Sequence, residues 1–525
     1  VEEFLDKTGV TEDYIHIQDG VKIAMALEAQ GLDFLDVSVG LYETGMTCVE
    51  PVSFPQGWRR DLIKAVKDHV HIPVMGVSVI REPAVAEQFL ADGVEDFISM
   101  GRSWLADEQW GKKVQEGREK ELCKCINCLR CFESLNEYNV AGLPAECALN
   151  PRLARERKYG ELPYDTAHHS VVVVGGGPSG MMAAKTLAER GCRVTLLDRG
   201  AALGGTVNQA KMPPLKERME WVMDYYRAAF EKLGVEVRLQ TEATADMVAA
   251  MAPDAVIVGT GSKPVVPGKI PGVDGGTVFT VEQVLTGAAD LAGKRVAVIG
   301  AGITGIETAE FLAARKAEVT VVDLLEQVAP NANHTNVGDV CGRLAQYGTR
   351  FLLGHGLLEI RSDAVVLEKK ADQTQVTVPV DAVVLSLGYR PDTTLADELK
   401  AKGLHVVTVG SAVKDGTIAP ATRTGYEAAR ELFVERPKVT TFRTPAEDLP
   451  NFGKVSLMDE QEGVYLAYLT DPAAIARILP PPLKPFSMPV VTLSVCHIRK
   501  PTFADDYYEA ILGVYCTYGK SLGLY

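Results

Sequence analysis

A strand, a glycine-rich turn and a helix occur twice in this chain, about 125 residues apart, and that duplication limits the fold more than any other feature. The first copy is the apolar run 170–174, the turn Gly175-Gly176-Gly177-Pro178-Ser179-Gly180 and a small-residue helix over 181–190. The second is the run 295–299 followed by Gly300-Ala301-Gly302-Ile303-Thr304-Gly305. In such a unit the first glycine (Gly175, Gly300) turns the chain sharply, and the second (Gly177, Gly302) lets main-chain amides approach a diphosphate. The third (Gly180, Gly305) lets helix and strand pack closely, with the helix dipole favouring the anion. GxGxxG alone is a weak signal in a chain with 48 glycines. Its weight here comes from the strand before, the helix after and an acid at the right distance. Asp198 ends the next strand, 193–197, eighteen residues beyond Gly180, where it can accept both hydroxyls of an adenosine ribose. In the second copy Glu307 lies just inside the helix and Asp323 ends the strand 319–322. Asp323 repels a 2′-phosphate, and no Arg or Lys follows it in 324–327, so the second unit is expected to take NADH rather than NADPH.

The rest of the chain is organised around this pair. At 525 residues it exceeds what one core supports, and 46% hydrophobic with 23% charged residues excludes disorder. Residues 1–113 alternate helical patterns (19–30, 58–69, 82–92) with strand-like runs (34–39, 72–77, 96–100), the signature of βα units in a parallel array. A closed eight-stranded α/β barrel takes roughly 250 residues. The expectation is therefore a parallel array that cannot close on itself, with an upstream part missing; an opening Val rather than Met fits a fragment. Residues 114–168 hold a cysteine cluster and a charged linker, and beyond 437 a β-rich tail has no following helical pattern. The 54 basic and 69 acidic side chains give a net charge of −15, which excludes nucleic acid as an expected partner. No apolar run is long enough to span a membrane, and acids occupy the first thirty residues where a signal peptide has lysine, so a cytoplasmic protein without a membrane partner is expected.

Cys125, Cys128 and Cys131 have two residues between each pair, and Cys147 follows after fifteen more. Four thiolates on a compact loop suit a cubane iron–sulfur cluster or a structural zinc; three cysteines in one short loop with a distant fourth fit the cluster better, and unligated thiols are the third alternative. Cys123 is a spare at CxC spacing. The isolated Cys48, Cys192, Cys341, Cys496 and Cys516 read as buried small hydrophobes.

Leu203-Gly204-Gly205 after the first turn, Gly259-Thr260-Gly261 later and the duplicated unit itself resemble the two-dinucleotide flavoprotein reductases over about 170–435. That resemblance implies FAD in the first unit, with Gly204, Gly205, Thr260 and Gly261 in its site, and NADH in a second unit inserted into the first. Gly388-Tyr389-Arg390-Pro391 marks the return. Gly410-Ser411 departs from the Gly-Asp usual there, which implies weaker FAD binding or capture of its ADP part alone. The order of parts also resembles the iron–sulfur branch of the old yellow enzyme family, which includes 2,4-dienoyl-CoA reductase, 2-enoate reductase, trimethylamine dehydrogenase and the bile-acid-inducible NADH:flavin oxidoreductases. The matching stretches are 36–43, 49–53, Gly57-Trp58-Arg59, Gly101-Arg102 with Ala106-Asp107, and the cysteine loop ending in Asn150-Pro151-Arg152.

This second resemblance implies a 4Fe-4S cluster on Cys125, Cys128, Cys131 and Cys147. It also implies FMN at the barrel, its phosphate near Ser78, Gly101 and Arg102, unless Arg102 simply pairs with an acid. Tyr42 falls where the dienoyl-CoA reductase has an active-site His, implying a phenol that orients a carbonyl or supplies a proton, with packing as the alternative. Residues 464–471, 479–483 and 507–519 resemble the amino-terminal part of acetoacetate decarboxylases, whose helper glutamate corresponds to Glu509; their Schiff-base lysine belongs to a later segment, and Lys520 lies too early to be it.

The expected architecture is α/β: a partial (β/α)8 barrel over 1–113, the cluster segment and linker over 114–168, an FAD domain over 169–289 and 378–436, an NADH domain over 290–377, and a decarboxylase-like segment over 437–525. The expected function passes electrons from NADH through FAD, 4Fe-4S and FMN to the C=C bond of a small unsaturated acid, CoA ester or ketone. An NADH-oxidising electron-transfer module and a fusion with a β-keto acid decarboxylase are the alternatives. The family also suggests association into homo-oligomers.

Overall fold

The computed structural model describes residues 15–40, 42–138, 143–414, 416–434, 461–479, 483–486, 490–498, 507–518 and 521–524, in two compact units divided after Glu435.

The first unit opens with a parallel sheet of three strands in the order Leu35–Val37, Val74–Val77, Phe97–Ser99. Its helices Ile17–Ala29, Arg60–Lys67 and Pro83–Ala91 contribute Ala24, Ile63, Val66, Ala86 and Phe89 to a core with Val74 and Val94. Pro83 sits in the first helical turn, where a missing N–H costs nothing. Parallel strands are normally covered on both faces. Here Phe34 and Phe97 lie 5.8 Å apart, centroid to centroid, and both remain exposed, at 39% and 54%.

Two five-stranded parallel sheets follow. One has the order Val406–Thr408, Ala255–Val258, Ser170–Val174, Arg193–Leu197, Glu236–Arg238. The other runs Arg350–Leu353, Glu318–Asp323, Arg295–Ile299, Ala382–Leu385, Val278–Thr280. Their central strands are unbroken runs of buried aliphatics because helices and further sheet cover both faces. The chain leaves the first sheet after Val258, builds the second, and rejoins the first at Val406; the antiparallel pair Ser262–Pro264 and Tyr389–Pro391 ties the outgoing and returning segments together. The second sheet reaches outside the expected interval 290–377. Val278–Thr280 and Ala382–Leu385 both belong to it, because the strand beside Arg295–Ile299 can only be completed by chain on either side of the insertion. A three-stranded antiparallel sheet, His355–Ile360, Ala364–Lys369 and Gln375–Pro379, covers one face through Val365, Leu367 and Val378. Helix Ile418–Glu431 then returns against helix Pro178–Glu189 so closely that a Cβ on Gly425 would lie 2.1 Å from the Ser179 carbonyl oxygen.

The second unit pairs Gln461–Leu469 with Val490–Ile498 and the latter with Tyr507–Tyr518, all antiparallel, with Ser521–Leu524 on the far edge. Helix Pro472–Ile478, capped by the Asp471 carboxylate, supplies Ile475 to a small core with Leu479, Val491 and Val514. Among the described residues no helix is long and apolar enough to cross a membrane.

Candidate functional site

The two glycine turns have the same geometry. Gly175 and Gly300 adopt φ of +107° and +110°, and a Cβ on either would collide with a neighbouring carbonyl, Gly259 O at 2.3 Å or Ser386 O at 2.1 Å. A Cβ on Gly180 would meet Gly175 O at 1.9 Å, and one on Gly305 would meet Gly300 O at 1.9 Å, so both helices press directly on their turns. Gly177 and Gly302 are the exception: each caps its helix, and nothing lies within 4 Å of where their Cβ atoms would be. Each turn thus presents a helix N-terminus with clear space in front, suited to a diphosphate.

The acids behave alike too. Asp198 accepts from the Gly176 amide at 2.5 Å and the Gly200 amide at 2.6 Å; Asp323 accepts from Ala301 at 2.6 Å and Leu325 at 2.7 Å. Each carboxylate therefore braces its glycine turn, a task sequence spacing did not disclose, while standing at the strand end where a ribose would lie. Gly204 donates to Gly176 O at 2.8 Å, and a Cβ on Gly205 would come within 3.0 Å of Gly177 Cα, so this pair walls the first cradle. Gly261 has φ of +82°, and Thr260 donates to Asp392 O at 3.4 Å on the returning chain. Glu307 is held by Lys216 at 2.5 Å, a contact across the two halves. Gly410 has φ of +63° and packs on Ser179, whose Oγ would lie within 2.4 Å of an added Cβ.

Cys125, Cys128, Cys131 and Cys147 line one small cavity, together with Ile126, Leu129, Leu105, Leu149 and Arg102. The loop carrying the first three is irregular, with Asn127 and Leu129 at φ of +56° and +61°, and Cys131 lies in the first turn of helix Arg130–Tyr138. Positive φ at two non-glycine residues is costly and persists only where contacts over-determine it. Those contacts come from every neighbouring part. Arg81 Nε donates to Asn127 Oδ1 at 2.9 Å, Asn336 Nδ2 donates to the Cys128 carbonyl at 3.1 Å, and Ser134 Oγ donates to the Cys131 carbonyl at 3.0 Å. On the Cys147 side, Thr422 donates to Ala148 O at 2.8 Å, and Glu146 gathers Arg130, Arg155 and Arg423. The loop is therefore clamped between the three-stranded segment and both nucleotide units. Burial pushes the Cys128 thiol up to about 12 and raises Cys131 and Cys147 as well; a bound cation reverses this by favouring the thiolate. Among the described residues no three His, Cys, Asp or Glu side chains converge on a single-ion site. Cys123 is buried outside the cavity lining, in the core beneath it. Of the isolated cysteines Cys192 is buried, whereas Cys48 is exposed and Cys341 is half-buried at the margin of the core of the second nucleotide unit; the side chains of Cys496 and Cys516 lie outside the described residues.

At the carboxyl ends of the three parallel strands the expected phosphate contacts divide. Ser78 is fully buried and its hydroxyl accepts from the Arg59 amide at 2.8 Å. Gly101 is exposed with open space beside it. Arg102 pairs with Glu50, Nη2 to Oε2 at 2.6 Å and Nη1 to the Glu50 carbonyl at 2.9 Å. The alternative reading of Arg102 as an ion-pair partner thus describes its side chain here. Glu50 also holds Arg59 at 2.5 Å, and Arg59 donates to Val39 O, Thr47 O and Val77 O, tying the strand ends together. Tyr42 opens the 3-10 helix Tyr42–Thr47, and Glu509 lies on strand Tyr507–Tyr518 opposite Cys496; both side chains lie outside the described residues.

Sequence reasoning missed Arg81, Asn127 and Arg218. Asn127 sits inside the cysteine motif, and Arg81 ends the loop after the second strand; a charged residue there followed by a proline-started helix was the available signal.

Residues 5–121 match the NADH:flavin oxidoreductase / NADH oxidase family, 169–419 the pyridine nucleotide-disulphide oxidoreductase family, and 443–525 the acetoacetate decarboxylase family. An NADH oxidase from Thermoanaerobacter brockii is 37% identical over 79% of this chain and 64% of its own length. A cinnamate reductase from Clostridium sporogenes is 28% identical, over 79% of this chain and 62% of its own. The solved structure of a 2-naphthoyl-CoA reductase superposes with a TM-score of 0.75 at 30% identity, over 79% of this chain and 62% of that one. The chain therefore spans less than two thirds of these relatives. In order along its length the chain is thus similar to the NADH:flavin oxidoreductase / NADH oxidase family, the pyridine nucleotide-disulphide oxidoreductases and the acetoacetate decarboxylases.

Proposed function

We propose that the chain is an NADH-dependent flavin and iron–sulfur oxidoreductase that reduces the C=C bond of an α,β-unsaturated carbonyl compound. The observation that carries the reading is the cavity of Cys125, Cys128, Cys131 and Cys147, clamped by the parallel segment on one side and by both nucleotide units on the other. A single zinc would draw four sulfurs to about 2.3 Å from one point. Three cysteines on one short loop and a distant fourth, all lining one cavity, suit a multi-atom cluster better. The two turns fit dinucleotides: open space stands before Gly177 and Gly302, with Asp198 and Asp323 at the adjacent strand ends.

When bound, FAD would split the hydride of NADH into single electrons for a 4Fe-4S cluster, and FMN would recombine them into a hydride for an electron-poor carbon. The chain's own contributions are positional. The helix N-termini after Gly177 and Gly302 offer main-chain amides to diphosphates, and Asp198 and Asp323 hold the turns by accepting from the Gly176 and Ala301 amides. Gly101, beside the Arg102–Glu50 pair at the carboxyl ends of the strands, offers an open main chain for the phosphate of FMN. In this reading the three-stranded sheet is the carboxyl-terminal part of a barrel, and residues 114–168 are the cluster segment. The relatives named for cinnamate and 2-naphthoyl-CoA favour a conjugated acid or CoA ester as substrate.

A second reading, an NADH-oxidising electron-transfer module without substrate chemistry, is favoured by the three strands of the parallel sheet and its exposed Phe34 and Phe97. Counting flavins on the purified chain and assaying NADH with a dye and with an enoate separates them. Both readings require NADH-driven dye reduction with FAD bound. The first also requires FMN and enoate reduction, and failure with the dye would sink both.

A further inference from the structure

Cys128 is flanked by two residues in the left-handed region, Asn127 at φ +56° and Leu129 at φ +61°. Asn visits that region; a leucine there is strained. The conformation shapes the site. In a continuous helix Cys125, Cys128 and Cys131 would stack along one face, each about one turn from the next. Here the chain curls at 127 and 129, and all three thiols line one cavity with Cys147.

The two bends are held from different parts of the molecule. Asn127 is held by the parallel segment, since Arg81 Nε donates to its Oδ1 at 2.9 Å. The peptide between Cys128 and Leu129 is held by the second nucleotide unit. Asn336 Nδ2 donates to the Cys128 carbonyl at 3.1 Å, which fixes the orientation of the peptide that gives Leu129 its positive φ. Asn336 lies in the first turn of helix His334–Gln346, where the Asn333 side chain accepts from the Thr335 and Asn336 amides. One turn on, Asp339 accepts from Ser53 Oγ at 2.6 Å and pairs with Arg343 at 2.6 Å. Arg343 in turn binds Glu310 on helix Ile303–Ala313, the helix that begins at Gly302. The donor to Cys128 is therefore braced by the second cradle on one side and by the parallel segment on the other.

We infer that Asn336 is a positioning residue for Cys128: by holding the 128–129 peptide it keeps the cysteine loop in the curled form that presents three thiols to one cluster. The inference rests on the iron–sulfur reading above. Partners outside a ligand set orient the ligands and account for much of a site's affinity. Because Asn336 belongs to the second nucleotide unit, retention of the cluster is tied to that unit being docked on the cysteine loop.

The test compares the full wild-type chain with Asn336→Ala, Asn336→Asp and Ser53→Ala. Iron and sulfide content, the rate of iron release to a chelator and the EPR spectrum of the dithionite-reduced chain are measured beside a thermal melt. Asn336→Ala should release iron about ten times faster, as expected for one lost hydrogen bond, and its EPR spectrum should differ from that of the wild type. Asn336→Asp keeps the shape of the side chain, and an acid in the first turn favours the helix, so its melt should be no lower than that of the wild type. It has no donor for the Cys128 carbonyl, however, and should release iron at least as fast as Asn336→Ala. Ser53→Ala removes the neighbouring contact of the same helix and leaves Asn336 in place; it should release iron at the wild-type rate. Iron held by Asn336→Asp as firmly as by the wild type overturns the inference. So does Ser53→Ala matching Asn336→Ala, which would make docking of the helix, not the bond to Cys128, the cause. If Asn336→Ala does not fold, Asn336→Asp decides alone. Absence of iron from the wild-type chain would instead overturn the iron–sulfur reading itself.

Discussion

Replacing Gly177 by Ala separates cofactor binding from folding more cleanly than any other change in the first unit. Gly177 has φ −77° and ψ 179°, ordinary extended values, and an added Cβ meets nothing within 4 Å. The folded chain should accept the methyl at the cost of a poorer helix cap, about 0.5–1 kcal/mol. For a chain this large that is a shift of no more than a few degrees in Tm. The methyl does, however, stand in the space in front of the helix N-terminus. Overpacking of that kind costs about 1–3 kcal/mol, or about five- to 150-fold in the Kd for FAD. Gly180→Ala is the contrast, since its Cβ would lie 1.9 Å from the Gly175 carbonyl oxygen and must push helix and turn apart. It should lower stability as well as FAD binding. Gly302→Ala repeats the first experiment in the second unit and should weaken NADH binding while leaving FAD content unchanged. The assay is fluorescence titration of each apo-variant with FAD and NADH beside a thermal melt. Undiminished FAD binding by Gly177→Ala, or a melt that collapses with it, would refute the cradle argument.

Two further outcomes follow from the same geometry. Asp323→Asn places an amide where two backbone N–H donors now find a carboxylate, and removes the charge that repels a 2′-phosphate; it should raise the KM for NADH more than that for NADPH, and an unchanged preference would remove Asp323 from cofactor choice. Burial pushes the Glu95 carboxyl up to about 7, with Asp36 and Asp96 adding repulsion and only the Gly76 amide opposing. Between pH 4.5 and 7 the folded state therefore holds a proton that the unfolded state has lost, so stability falls as pH rises through that window. Glu95→Gln should abolish the fall, gaining about 3 kcal/mol at most at pH 8 and little at pH 4; parallel denaturation curves for the two proteins at all pH values would contradict this.

The parts legible in the sequence are those where one residue type is forced by geometry. Gly175 and Gly300 need positive φ, Gly180 and Gly305 need a missing Cβ, and strands such as Ser170–Val174 must be apolar on both faces; each leaves a mark that spacing alone exposes. The cysteine loop is legible for the same reason. The bracing of the turns by Asp198 and Asp323 is not, because a carboxylate at a strand end reads identically whether it meets a ribose or an amide. Nor are contacts between parts far apart in sequence, such as Asn336 on the Cys128 carbonyl or Arg218 on Phe54, since the partners carry no common pattern. That Val278–Thr280 and Ala382–Leu385 pair into the second sheet is not legible either, because short apolar strands look alike whichever sheet they join.

The central claim is that electrons from NADH reach a cluster held by four cysteines. Its most direct test is low-temperature EPR of the anaerobic, FAD-loaded chain before and after NADH, alongside iron and sulfide analysis. The account expects about four iron and four sulfide per chain, a paramagnetic signal that appears on adding NADH, and loss of both in Cys128→Ser. One zinc per chain, or iron that stays silent when NADH is consumed, would contradict it.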